Sequence, residues 1–264
     1  IKALGSITDA QKNFGIDGLD FVMSATDFRG LSEKDLFWLG LSVVGFGTNQ
    51  LNNFPHFVAR LQQGMADTLA LAHVMKTGRF VDCQPLDAPD GTPCAPTGLE
   101  TYFAPADEET FYYGISLGGI MGLLFAGLTP DVTRLVVDVG AINFSMLLQR
   151  STQFGAFELL LAGIGLTDPL YTLLTLSLNQ EVWVRSEPAG YVRHITRDPL
   201  PGTNTKKILL TMAWLDKQVS NQVTEILARS LGIPNLDSSI QQGFPGIPDV
   251  SGPVDSAMVI YDTG

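Results

Sequence analysis

An apolar run, Thr110-Phe-Tyr-Tyr-Gly-Ile115, is joined to a small-residue-rich segment, Leu117 to Leu128, through Gly114-Ile115-Ser116-Leu117-Gly118. A serine set on a sharp turn from strand to helix is held in a strained backbone conformation that lifts its Oγ above the sheet. Ser116 is therefore the candidate nucleophile for acyl transfer. Gly114 and Gly118 flank it because strand and helix nearly touch at such a turn, and Gly119 and Gly122 let the helix approach its neighbours. Leu117 opens that helix, where amides lack intrahelical partners and the dipole is positive. Its N–H is the candidate oxyanion donor, and one such donor is worth about 3–4 kcal/mol of barrier. With 27 Gly in 264 residues, a G-x-S-x-G can arise simply as a glycine-rich loop. The strand before it and the helix after it give this one its meaning.

A carboxylate is the second part. Asp216 directly follows the run Thr211-Met-Ala-Trp-Leu215 and precedes a helix start at Ser220-Asn221. The carboxyl end of a sheet strand is where a group must sit to orient a catalytic imidazole. The plainer role for Asp216 is to cap the helix. Asp138 is the rival acid, ranked second because its strand neighbours look buried. The imidazole is harder to find. The three histidines are His56, His73 and His194, and none follows Asp216. His56, after Pro55, reads as a helix-start residue and His73 as a structural or surface residue. His194, near Asp198, could approach the site only with an unusual chain order.

These groups need a scaffold. Leu19 to Thr26, Thr110 to Ile115, Arg134 to Val139, Lys206 to Ala213 and 257–263 read as apolar strands. Val58 to Met75 has Leu61, Met65, Leu69 and Ala72 at helical spacing, and Ser32-Glu-Lys-Asp35 opens another helical region. Gln218 to Leu231 forms a helix closed by Gly232 and Pro234. Strands apolar throughout and separated by helices imply an α/β protein with a parallel sheet covered on both faces. The segment 144–197 is mostly helical and unusually apolar, an insertion between two strands. Its Phe144, Met146, Leu147, Leu148, Phe154, Phe157, Leu159, Leu160, Leu161 and Leu170 could line an acyl pocket, but burial in the insertion's own core is the default for such residues.

Composition narrows the partners. Charged residues make up 16 %, with Asp+Glu 27 against Lys+Arg 16 and a net charge of −11. An acidic chain with no visible Lys/Arg cluster is a poor match for nucleic acid. No apolar run is long enough to span a bilayer. Cys83 and Cys94 are the only cysteines and bracket a Pro/Gly/Asp-rich loop, so a disulfide is expected there, worth about 2–3 kcal/mol, and with it an oxidising compartment: secreted, cell-surface or periplasmic. No further Cys or His lies near enough in sequence to complete a metal site, and no cofactor motif is present.

Gly114-Ile-Ser-Leu-Gly-Gly119, the Thr129-Pro-Asp-Val-Thr-Arg134 that leads into a strand, and Asp216-Lys-Gln-Val-Ser-Asn-Gln222 together resemble the α/β-hydrolase superfamily. More narrowly the chain is similar to secreted or surface bacterial esterase/lipase-like proteins, and Asp27-Phe-Arg-Gly30 resembles the turn after a strand in the same superfamily. The resemblance implies a mostly parallel sheet flanked by helices, its core supplied by residues 1–143, which include the elbow, and 198–264. Residues 144–197 become a helical cap. It implies Ser116 as nucleophile, Asp216 as acid and a small-molecule ester or lipid as substrate, with no cofactor. A base would follow the final strand and a second oxyanion donor would come from an upstream loop, so the expectation is a piece of a longer protein that lacks its catalytic histidine and is inactive alone. A peptidase or amidase would use the same parts. A non-catalytic relative that binds a lipid or a protein partner is the reading from another class.

Overall fold

The computed structural model describes residues 24–26, 28–32, 35, 54–77 and 109–262. The loop carrying Cys83 and Cys94 lies outside them. So do most of the strand expected over 19–26, whose last residues, 24–26, carry no regular structure, and most of the helical region opened by Ser32.

The described strands are β1 (Phe111–Ile115), β2 (Arg134–Asp138), β3 (Lys207–Ala213), β4 (Asn235–Leu236), β5 (Asp249–Val250) and β6 (Ala257–Tyr261). They form a six-stranded sheet in the order β1-β2-β3-β6-β4-β5, and every pairing is parallel. The helices are α1 (Phe54–Lys76), α2 (Leu117–Leu128), α3 (Phe144–Leu148), α4 (Gly155–Gly163), α5 (Pro169–Trp183), α6 (Val192–Thr196) and α7 (Asn221–Leu231). The class is α/β, a parallel sheet flanked by helices. The short β4 and β5 were not foreseen, because two-residue strands leave no period to detect.

Register puts Tyr112 and Gly114 of β1, Leu135 and Val137 of β2, and Ile208, Leu210 and Met212 of β3 on one face. Against that face lie α2 and α7, with α6 packed on both, joined in one core with Met258 and Ile260 of β6. Among the described residues, Phe111, Tyr113, Ile115 and Leu209 are exposed on the opposite face. Helix α2 is buried over almost its whole length, from Gly119 to Gly127, as a helix apolar all round must be. Its outer side meets α1, whose Phe57, Val58, Leu61 and Met65 are buried at the expected helical spacing.

The insertion between β2 and β3 divides in two. Phe144, Leu147, Trp183 and Ile195 belong to the main core, while Phe154, Leu161 and Leu176 form a small cluster of their own. Buried Glu187 ties the start of the insertion to its later helices. Its carboxylate accepts from the N–H of Asn143 at 2.8 Å and from Gln180 Nε2. Burial pushes the Glu187 carboxyl up from its usual range, against these bonds and those from the amides of Ala189 and Phe144. Burial within the insertion is the rule for Phe154 and Leu161, but Leu159 and Leu170 are exposed, together with Tyr171, Leu173, Leu174 and Leu178 of α5. A helix carrying leucines all round exceeds what so small a cluster can cover. Among the described residues no helix is long and apolar enough to cross a membrane.

Candidate active site

Ser116 sits between the last residue of β1 and the first of α2, with φ 54° and ψ −119°. For a residue with a side chain this is a sparsely populated conformation costing about 1–3 kcal/mol. Two main-chain bonds impose it. The Ser116 N–H donates to the carbonyl of Asp138 on β2, and the Ser116 carbonyl accepts from Ile120 N–H in α2, each at 2.9 Å. Serine at a helix N-cap ordinarily spends its hydroxyl on the first turn. Here the Ser116 side chain makes no capping bond. Leu117 is the first residue of α2, and its N–H meets no main-chain acceptor among the described residues.

The glycines divide their work unequally. A Cβ on Gly114 would lie 2.4 Å from the Gly118 carbonyl oxygen, and one on Gly119 would lie 2.9 Å from the Asp138 carbonyl oxygen. Both are excluded by contact. A Cβ on Gly118 would meet nothing within 4 Å among the described residues. The expectation that Gly118 must be small is thus corrected: strand and helix do touch, but it is the Gly118 backbone that fills the space left by Gly114.

Asp216 lies past the end of β3, and its Oδ1 accepts from the N–H groups of Gln218 at 2.7 Å and Val219 at 3.0 Å. The capping role weighed for it is therefore present, on the turn before α7. Only Oδ1 is engaged by these bonds. Leu215, just before it, has φ 62°, and the Asn221 side chain braces this bend by accepting from Leu215 N–H and donating to the Ala213 carbonyl. Counting across the sheet, β1 and β3 stand two strand spacings apart, about 10 Å. Ser116, just past β1, and Asp216, just past β3, therefore lie beyond the same carboxyl end of the sheet, on either side of β2.

Asp138 lies between them and is occupied differently. Its Oδ1 accepts from the Thr211 hydroxyl and, at 3.1 Å, from Tyr261 OH. Burial, then the charge and hydrogen bond of Asp138 and the charge of Asp216, push the Tyr261 phenol up to about 12. The phenol therefore stays a donor, and Asp138 serves to tie β2, β3 and β6 together.

The histidines do not reach Ser116. Tyr191 and Ile195, on either side of His194, pack near Gly127 in the last turn of α2, roughly 15 Å along the helix axis from Ser116. His194 Nδ1 is instead 2.6 Å from the Asp198 carbonyl. The prospect of His194 as base is thereby overturned. His73 pairs with Asp131 at 3.2 Å, beyond the same end of α2. His56 is exposed on the first turn of α1 and, among the described residues, makes no hydrogen bond to Ser116 or Asp216. Nor is any group of three His, Cys, Asp or Glu placed to hold a metal ion among them.

Sequence reasoning passed over Val139, whose φ of 46° makes β2 end, like β1 and β3, in a non-glycine residue at positive φ. Three neighbouring strands thus carry such bends at one edge of the sheet, where strain collects at functional sites. No sequence signal marks a valine for that conformation. No protein-family model matches the chain, and no curated protein does.

Proposed function

We propose that this protein is a serine hydrolase of carboxylic esters, of esterase or lipase character, on the plan of the α/β-hydrolases. The observation that carries the reading is the backbone of Ser116, φ 54° and ψ −119°, at a strand-to-helix junction with its hydroxyl unused as a cap. In this mechanism Ser116 Oγ attacks the ester carbonyl carbon and its proton passes to an imidazole. The Leu117 N–H and a second amide stabilise the oxyanion. The alcohol departs with that proton, and water then hydrolyses the acyl-enzyme. Asp216, with Oδ1 fixed by two amides, would orient the imidazole and stabilise its charged form through Oδ2. Exposed Leu159, Leu170 and Leu178 in the insertion support an apolar acyl group. No cofactor enters these steps. A peptidase or amidase would use the same atoms. The cysteine pair supports a secreted, cell-surface or periplasmic setting.

A second reading, a non-catalytic relative that binds a lipid or protein partner, is favoured by one observation: none of the described histidines meets Ser116. Labelling of the intact protein with a fluorophosphonate separates the two. Labelling that disappears in Ser116→Ala supports the hydrolase, and a wild type that never labels sinks it.

A further inference from the structure

We infer that Tyr112 is a positioning residue for the nucleophile, locking the first turn of α2 against β1 so that Ser116 keeps its elbow conformation; the inference rests on the serine-hydrolase reading. Tyr112 lies two residues before Gly114 on the face of β1 that meets α2. Its hydroxyl donates to the Gly118 carbonyl at 2.8 Å. That carbonyl belongs to the first turn of the helix, two residues beyond Ser116. The ring is held from both sides by missing side chains. A Cβ on Gly122 would fall 2.2 Å from Tyr112 Cε1, and a Cβ on Gly114 would fall 2.8 Å from it. The Phe125 ring, centroid to centroid 5.3 Å away, closes the far side.

The hydroxyl is not needed for the helix itself, because a carbonyl in the first turn is already the acceptor for the amide four residues on. What the extra bond adds is a fixed distance between the β1 backbone and the turn that begins with the Leu117 N–H. A phenylalanine would fill the same space and leave that turn free to shift. Burial pushes the Tyr112 phenol up to about 12, so it remains a donor across any working pH.

The test is Tyr112→Phe in the intact protein, with Gly122→Ala as a second variant that displaces the ring, and with it the hydroxyl, and is expected to lower the labelling rate in the same direction. Rates of fluorophosphonate labelling and of p-nitrophenyl butyrate hydrolysis are read beside the melting temperature. A small displacement of a reacting group costs up to about 100-fold. Tyr112→Phe is therefore expected to lower kcat and the labelling rate by about 10- to 100-fold, with KM unchanged and Tm within about 4 °C of wild type. Wild-type kcat and labelling in Tyr112→Phe, or a loss that follows Tm alone, would overturn the inference and leave the hydrolase reading standing. A wild type that never labels would overturn both.

Discussion

The main-chain N–H of Ser116 donates to the carbonyl of Asp138 at 2.9 Å, one residue beyond the last paired positions of β1 and β2, Ile115 and Asp138. On its N–H side Ser116 still belongs to the sheet. On its carbonyl side it already belongs to α2, through Ile120. A residue that must satisfy a strand and a helix at once has no room for an ordinary dihedral pair, and the positive φ follows.

That strain is measurable. Glycine adopts φ 54° without steric cost, so Ser116→Gly is expected to be more stable than wild type by about 1 kcal/mol, while losing all fluorophosphonate labelling. Urea unfolding of the two proteins checks it, and a destabilised glycine variant would mean the elbow is not strained.

Asp216 holds a turn and, in the proposed mechanism, an imidazole; the two roles come apart by substitution. Asparagine keeps an oxygen for the Gln218 and Val219 amides, so Asp216→Asn is expected to retain stability while kcat falls about 10³- to 10⁴-fold. Alanine loses the cap as well, about 1 kcal/mol. Equal activity of Asp216→Asn and wild type on a chromogenic ester would assign Asp216 to the turn alone.

The two elbow glycines are expected to behave unlike each other. Gly114→Ala drives a methyl into the Gly118 carbonyl and should cost about 3 kcal/mol or more through overpacking. Gly118→Ala meets open space and, in the first turn of a helix, should be neutral or gain up to about 1 kcal/mol. Thermal melts of both variants decide whether the motif is symmetric in its demands.

Acid should weaken the attachment of residues 28–32 and Asp35 to α1. Buried Asp35 accepts from Gly30 N–H, Ser32 Oγ and Arg60. Burial alone would raise its carboxyl, but the bonds from Arg60, Ser32 and Gly30 outweigh it and lower the pKa from 3.8 to about 2. A depressed carboxylate stabilises the fold above its unfolded pKa and loses that contribution as pH falls through the folded one. The window is therefore from about pH 4 down to about pH 2, and the loss about 1–2 kcal/mol, because the Arg60 side chain is 37 % exposed and partly screened. Wild type and Asp35→Asn, compared by denaturant unfolding at pH 6 and pH 2.5, should converge at the lower pH.

By itself the sequence determined the alternation of apolar strands and helices, because burial leaves in the order of the residues an apolar run for a strand and a helical spacing for a helix. It placed α1 and α2 within a few residues of where they stand, with Gly232, at φ 70°, ending α7 as expected of a glycine C-cap. It also marked Ser116, since a strand, a small-residue turn and a helix are all local. Only the tertiary structure decided which polar groups meet. The engagement of Asp138 with Tyr261, the removal of His194 to the far end of α2 and the hydroxyl of Tyr112 on Gly118 all depend on register and on how closely two elements approach. Those distances are set by side chains far apart in the chain, and no local pattern of residue types encodes them.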